Sequence, residues 1–575
     1  MPTIFDGLNI GKSGLYTNQM SMNVAGNNVS NVNTPGYSRE RVEVVSSTPM
    51  FTQPGTFGTG SEVSEITSAR DSLIDKRVRL AYNDQAFYEK MSSTLGEIGN
   101  IFNEENGVGL KQSLEDFFNS WHALALNPDL ETARQQVLEK GQTLSSNINS
   151  VYSSLEDVKK GLDNQMGTTA QEINSLSKRI AELNYEISKG ELGDKDHANS
   201  LRDTRSVLID QLNKLSNITV MEGSYDQNTK PEMTILLGGK PIVSGITYNE
   251  ISAQKLNGKQ YNSVYFLNQD GTRTDITKKI TKGELGAEIN ARDNVIDSYQ
   301  DDLNDIAQTL IQSVNKVHSA STGLTAYTQV AGTSSIKDTS VILSSKEATG
   351  FDSDVKTGAF KLKITDKDGN SVGDFTIAVN ADDTLDSLKN KFNSALSGYA
   401  SMSVSSINQG NIQIKSQEGY KFSFTDDTSG FLSAAGINTF FDGHNAKDIK
   451  LNAVMKNDPS KIAAGKTLQP GDGSSAESIA QIQLTKTMEN NTQSIDEYYN
   501  AFLGKIGSTQ QRYADTLTAK NAIVQQLKTD QQSIEGVSLD EEASNLIKYQ
   551  RAYQASAKFI SVIDEMTQTL IGMIK

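Results

Sequence analysis

Four histidines and no cysteine limit the metal and nucleophile chemistry open to this chain. His122, His197, His318 and His444 are scattered, no pair has the i, i+4 spacing of a helical zinc site, and each is expected to be solvated or packed. Without Cys there are no disulfides, thiolate zinc sites or cysteine nucleophiles. Three near-motifs fail on spacing. Gly7-Leu8-Asn9-Ile10-Gly11-Lys12-Ser13 has the look of a phosphate-binding loop, but three residues separate its glycines where four are needed, and no strand pattern precedes it. Asp366-Lys367-Asp368-Gly369-Asn370 begins like a calcium loop, yet its Gly comes two places early and Ile377 stands where the bidentate Glu belongs, so a hairpin turn is expected. Gly55, Gly58 and Gly60 reverse the order of the dinucleotide fingerprint and read as turn residues. Asp540-Glu541-Glu542 follows Ser538-Leu539 at a predicted helix start, where the dipole favours negative charge, and is read as capping. Trp121, close behind Phe117-Phe118, reads as a buried helical knob. No catalytic residue, cofactor or metal is expected.

The elements that would position any site are read from periodicity. Leu144, Ile148, Val151, Leu155, Val158, Leu162, Met166, Thr169, Ile173, Leu176, Ile180, Leu183 and Ile187 advance in steps of four and three, with two successive fours from Val158 to Met166. That is a heptad stripe with a stutter. Gly190 and Gly193 should stop this helix before Leu201, Leu208, Leu212 and Leu215 resume the stripe on a shorter, antiparallel one. A similar pair is predicted at the far end, from Ile495 to Ile534 and, beyond Gly536, from Leu546 to Ile574. Near the start Leu8, Leu15, Met22 and Val29 recur at sevens until Pro35-Gly36, where the helix is expected to stop. Between these lie β-branched runs punctuated by Gly238-Gly239, Asn257-Gly258 and Asp270-Gly271, then a helical stripe at Ile289, Ile296, Leu303, Ile306, Leu310 and Val314. A second insert follows, with a hairpin around Asp368-Gly369-Asn370 and an amphipathic stretch carrying Leu385, Leu388 and Phe392.

The layout predicts a multidomain α+β chain: terminal coiled-coil helices and a long helical bundle stem with inserted β-rich domains. Its expected parts are a terminal axial domain (1–70 with 528–575), a helical stem (71–216 with 286–322 and 446–527), a β-rich domain (217–285) and an outer mixed α/β insert (323–445). At roughly 150 residues per domain, 575 residues suit about four parts. Lys+Arg 54 against Asp+Glu 70 gives a net charge of −16, which repels phosphate backbones and anionic headgroups, so neither nucleic acid nor membrane is an expected partner. The start has no basic and apolar leader pattern, and no stretch approaches the ~18 apolar residues of a membrane span.

The segment from Leu15 to Arg39, with Met22-Asn23-Val24-Ala25 and Asn27-Asn28-Val29-Ser30-Asn31-Val32-Asn33-Thr34-Pro35-Gly36-Tyr37, resembles the N-terminal motif of bacterial flagellar rod, hook and hook-associated proteins. Gly536-Val537-Ser538-Leu539-Asp540-Glu541-Glu542-Ala543 and Tyr549-Gln550-Arg551-Ala552-Tyr553-Gln554-Ala555 resemble the C-terminal motif of that family. Phe117-Phe118-Asn119, Arg202-Asp203-Thr204-Arg205, Gly283-Glu284-Leu285-Gly286 and Asn438-Thr439-Phe440-Phe441-Asp442-Gly443 are similar to its hook–filament junction members. The segment between about 325 and 435 carries no such likeness.

The resemblance implies a structural axial component of the flagellum, joining hook to filament, extracellular once exported and transiently cytoplasmic. It implies as partners further copies in a ring, the hook protein, the next hook-associated protein, an export chaperone of the FlgN type and the type III export apparatus. Axial assembly would rest on Leu15, Gln19, Met22, Asn27, Asn28, Asn31, Asn33, Thr34, Pro35, Gly36 and Tyr37 at one end. At the other it would rest on Asp540, Glu541, Leu546, Tyr549, Gln550, Tyr553, Ile560, Ile563 and Leu570. Each terminal stripe alone would expose apolar residues and is expected to be poorly ordered until assembly buries it. Two other readings are a hook or distal rod protein, and an enzyme housed in the second insert. The latter is disfavoured because 325–435 contains no His.

Overall fold

The computed structural model describes residues 4–52, 55–102, 109–191, 197–222, 233–256, 258–345, 349–351, 353–404 and 410–574. Helix α1 (Ile4–Ser30) leads into strands β1 (Glu40–Ser46), β2 (Met50–Thr52), β3 (Gly55–Phe57) and β4 (Ser61–Ser68). Helices α2 (Ser72–Ile101), α3 (Leu110–Leu126), α4 (Glu131–Gly190) and α5 (Asn199–Leu215) follow. Then come β5 (Ile218–Glu222), β6 (Met233–Leu237), β7 (Lys240–Ser244), β8 (Thr247–Tyr248), β9 (Ile251–Gln254), β10 (Ser263–Leu267) and β11 (Arg273–Asp275). Helices α6 (Gly283–Asn290) and α7 (Asp297–Ser319) precede β12 (Gln329–Ala331), β13 (Gly358–Asp366), β14 (Ser371–Val379), α8 (Leu385–Ala395), β15 (Ala400–Val404), β16 (Ile412–Ser416) and β17 (Tyr420–Thr425). The chain closes with α9 (Phe431–Ala434), β18 (Phe441–Asp442), β19 (Lys450–Leu451), α10 (Ala453–Asn457), α11 (Ser474–Ala480), α12 (Ile495–Glu535) and α13 (Leu539–Ile574). Paired helices carrying several small antiparallel sheets make a multidomain α+β fold, as the periodicity indicates.

By compactness the chain divides into two units, each assembled from separate stretches of sequence. The first comprises Met1–Thr94, Lys160–Asp293 and Gln511–Lys575; the second comprises Leu95–Lys159 and Asn294–Gln510. In the first, the α4 stripe (Met166, Ile173, Ile180) and Ile209 and Leu212 of α5 share a core with Ile235, Val243, Val264 and Phe266 of the two sheets β5-β6-β7-β8 and β11-β10-β9. Gly238-Gly239 makes the β6–β7 turn with positive φ at both residues (59° and 79°), the geometry that matches strand twist in a two-residue hairpin. In the second, sheets β14-β13-β17 and β12-β16-β15 close on α8. Phe360, Leu362 and Ile364 point inward from β13 at alternate positions, and α8 buries Leu385, Leu388 and Phe392 behind a Thr384–Ser387 capping box. The calcium-like stretch is the β13–β14 turn: Asp366 Oδ1 accepts the backbone N–H of Asp368 and of Asn370 (both 2.9 Å).

Three expectations change. The first helix ends at Ser30, before Pro35-Gly36, where Asn31 Nδ2 takes the Asn27 carbonyl (3.1 Å). The stripe from Ile289 to Val314 is not one regular helix; a π-helical turn at Ala291–Ile296 separates α6 from α7. That turn and the stutter of α4 both shift helical phase, and both fall where the chain passes from one unit to the other. The terminal segments are helical in the single chain, since each supplies the other's apolar partner. Gly193 and Asn257 lie outside the described residues.

The histidines serve the structure. His122, His197 and His444 sit 3.0–3.1 Å from Glu477, Glu65 and Asp448. Among the described residues no group of His, Asp and Glu is placed to hold a metal. His318 is fully buried against the rings of Trp121 and Phe440. Its Nε2 accepts the Ala463 N–H (2.9 Å), which leaves the proton on Nδ1 to be donated to the Asn438 carbonyl (2.7 Å). Burial pushes this imidazole down to about 4. Its contribution to stability is therefore complete above about pH 6.5 and is lost as pH falls toward the folded value, because the unfolded chain takes up the proton first. In urea titrations between about pH 7 and about pH 4, His318→Gln should be the less stable chain at neutrality and lose less stability on acidification. Parallel profiles for the two chains would contradict this role.

Candidate assembly interface

The glycines that fail as a phosphate loop succeed as a helix-packing face. Gly7, Gly11 and Gly14 recur at i, i+4 and i+7, which places them on one side of α1. Opposite them, in antiparallel order, stand Ile563, Ile560 and Ser556 of α13. A Cβ at Gly11 would lie 2.5 Å from Ile560 Cγ1, and one at Gly7 would lie 3.1 Å from Ile563 Cδ1. Glycine in a helix costs about 1 kcal/mol against alanine. Here the cost is accepted because no larger residue lets α13 come this close.

Beyond Ser30 the chain turns on its asparagines. Asn28 is buried; its Nδ2 donates to the Glu40 carbonyl (3.0 Å), while its Oδ1 accepts the Glu40 N–H (2.9 Å) and the Tyr37 hydroxyl (2.8 Å). The side chain thus pairs with β1 as a neighbouring strand would. Asn27 Nδ2 donates to Glu40 Oε2 (3.1 Å), Asn31 Nδ2 to Asn27 Oδ1 (2.9 Å), and Thr34 Oγ1 to Asn31 Oδ1 (3.1 Å). Gly36 has φ 78°, and a Cβ there would overlap the Val207 side chain of α5. Burial, reinforced by Glu40, Asp203 and Glu542, holds the Tyr37 phenol far above its usual range, so it stays a donor.

The two motifs meet at Arg39. Its Nε donates to Glu542 Oε1 (2.7 Å), its Nη1 to Glu541 Oε2 (2.7 Å), and its backbone N–H to the Glu535 carbonyl (2.9 Å). Burial works against the Arg39 charge, but the two carboxylates outweigh it and the guanidinium pKa goes up. Next to it, Ser38 donates twice to Asp203 (2.9 and 3.1 Å), which also takes Arg70 (3.2 Å). Arg70 reaches Asp75 as well (2.9 Å), and Asp75 accepts Gln531 Nε2 (2.7 Å) from the end of α12. A groove of about 1030 Å³ runs between the turn, α5 and the α12–α13 corner, lined by Pro35, Tyr37, Val207, Glu535 and Val537.

The expected residues divide by exposure. Leu15, Met22, Asn31, Tyr37, Leu546, Tyr549, Tyr553, Ile560 and Ile563 are half-buried, and Asn28 is buried. Gln19, Asn27, Asn33, Thr34, Pro35, Gly36, Asp540, Glu541, Gln550 and Leu570 are exposed. Of the acidic triple, Glu541 and Glu542 clamp Arg39 beyond any capping effect, whereas Ser538 Oγ accepts the Glu541 N–H (3.4 Å) at the helix start. Sequence reading missed the roles of Gly7, Gly11, Gly14, Asp203 and Glu535. Only the glycine spacing carried a local signal.

Three family models match. One described as the helical domain of the flagellar hook-associated protein FlgK covers residues 95–333. Models of the flagellar basal body rod protein and of the FlgEFG rod C-terminus cover 8–37 and 532–573. Flagellar hook-associated protein 1 of Bacillus subtilis is 25% identical over 100% of this chain and 99% of its own length. That of Escherichia coli is 25% identical over 98% of this chain and 99% of its own. The likeness to flagellar hook-associated protein 1 runs along the whole chain. The fold of the flagellar hook junction protein FlgK from Burkholderia pseudomallei agrees, with TM-score 0.51 at 15% identity over 80% of this chain and 100% of that one. In this chain the two rod-type matches are α1 with its turn and the α12–α13 corner with α13, the segments that pack together.

Glu535 gives this corner a pH dependence. Burial and the nearby Asp75 push its carboxyl up to about 7, against the pull of Arg70. Because the folded value exceeds the unfolded one, the associated stability is full at acidic pH and is lost as pH rises through neutrality. Glu535→Gln should therefore become the more stable chain above about pH 8, by on the order of 1 kcal/mol after solvent screening. Urea unfolding at about pH 5 and about pH 8 measures the difference, which should widen with pH; a constant difference would contradict the assignment.

Proposed function

We propose that this chain pairs its two ends internally and uses the outer face of that pair to stack in the axial tube where hook meets filament. As a hook-associated protein it is a structural component of the bacterial flagellum, placed in the extracellular axial structure, and not an enzyme. Among the described residues no helix is long and apolar enough to cross a membrane. The observation that carries the proposal is a second stripe on α13. Val562, Met566, Leu570 and Met573 advance by three and four residues, and all are exposed in the single chain. Phe5, Leu8 and Tyr16 add exposed apolar surface on α1. Surface of this kind on a charged, acidic chain is suited to burial by neighbours.

The neighbours we infer are further copies in a ring, the hook protein on one side and the next hook-associated protein on the other. Before assembly, a chaperone of the FlgN type would cover α13 during delivery to the type III export apparatus. In this division of labour, residues 1–70 with 528–575 form the axial part, the stem (71–216, 286–322, 446–527) supports it, and 217–285 and 323–445 are presented outward. Among the motif residues, Tyr549, Tyr553, Ile560 and Ile563 serve the internal pair, and Gln19, Gln550 and Leu570 serve its outside.

The test places charge on the outer stripe alone. Val562→Asp with Met566→Asp alters exposed positions, so the isolated chain should keep its fold, while each charge buried without a partner on stacking costs several kcal/mol. Cells whose only copy carries both changes should show hooks without filaments in electron micrographs. Normal filaments would overturn the proposal.

A further inference from the structure

Sharing Arg70 and Ser206 with the groove, a cleft of about 560 Å³ gathers cations in a chain whose net charge is −16. Arg70, Lys76, Arg79, Arg202 and Arg205 line it, with Asp75 and Glu222 the acidic groups on its wall among the described residues. Three of these guanidiniums are already neutralised. Arg70 holds Asp75 and Asp203, Arg79 holds Asp210 (2.8 Å), and Arg202 holds Glu191 through two hydrogen bonds (2.6 and 2.7 Å).

Arg205 differs. Its side chain is 12% exposed, and among the described residues no carboxylate accepts a hydrogen bond from it. Nη1 donates to Asn184 Oδ1 (2.9 Å), and the nearest carboxylate, Glu222, stands 3.8 Å away and is itself 62% exposed. Burial, followed by repulsion from Arg202 and Arg70, pulls the Arg205 guanidinium down to about 10 against the attraction of Glu222. A guanidinium buried without a full counter-charge is costly, and its planar fork is shaped to take two oxygens of one anion. Leu80, Ile209 and Met233 supply apolar wall that strengthens the field inside the cleft.

We propose that this cleft binds a small multivalent oxyanion, its oxygens paired with Arg205 and reached from the rim by the exposed Lys76. Phosphate and a tricarboxylate share that chemistry and are tested separately. The experiment is titration calorimetry of the full chain with inorganic phosphate and, in a separate series, with citrate, at ionic strength held constant by sodium chloride. Saturable binding of one equivalent of either anion is expected. Arg205→Met should weaken it at least about 10-fold, the value of a lost charge-assisted hydrogen bond. Two exposed positions keep the test decisive if that variant fails to fold: Lys76→Ala should weaken binding about two- to five-fold, and Glu222→Gln, which removes the competing carboxylate, should tighten it by a similar factor. Which anion binds identifies the ligand class. Failure of both anions to bind, or binding indifferent to Lys76 and Glu222, would overturn the proposal.

Discussion

The close approach of α1 to α13 is the contact on which the rest of the organisation depends. Three glycines on one face let Ile563, Ile560 and Ser556 sit against the α1 backbone, and Arg39 fastens the base of α13 through Glu541 and Glu542. Joining segments from opposite ends of a chain sounds expensive, but closure entropy grows only logarithmically, about 0.6 kcal/mol for each doubling of the loop. Long intervening segments are therefore tolerated: β5–β11 lie in sequence between helices α5 and α6, and β12–β17 between α7 and α12.

Charge is spent sparingly in the corner where these parts join. Arg39 and Arg70 each answer two carboxylates, and the surplus acid falls on Glu535, whose carboxyl titrates near neutrality as a result. Asn28 completes the corner without charge, its side chain pairing with the Glu40 backbone as a neighbouring strand would, while the Asp203 carboxylate accepts the Ser38 backbone N–H. The corner is held by polar geometry while the helix pair is held by shape, so each can be perturbed separately.

Much of this was legible in the sequence because it is periodic. The α4 stripe, the Gly190 stop, the Gly238-Gly239 and Asp368-Gly369 hairpins and the two terminal helices all follow from spacing and turn chemistry. What escaped depends on partners far away in the chain: Ser38 finds Asp203 across 165 positions and Arg39 finds Glu542 across 503, and no local pattern announces either. Gly7-x-x-x-Gly11 reads locally as a failed nucleotide loop; the spacing that disqualifies it there is the spacing of a helix face. The π-helical turn left no sign because its apolar residues keep nearly the helical period.

The central claim is that the chain's own ends form the helix pair. A chain without cysteine offers a direct measurement, since a Cβ at Gly14 would lie 3.6 Å from Ser556 Cβ, within the range of a disulfide, about 3.5–4.5 Å. The double variant Gly14→Cys, Ser556→Cys, oxidised as a dilute isolated chain, should give an intramolecular cross-link, seen as faster migration without reductant and as one linked peptide pair by mass spectrometry. Uncross-linked chain, or only dimers joined between molecules, would contradict the account.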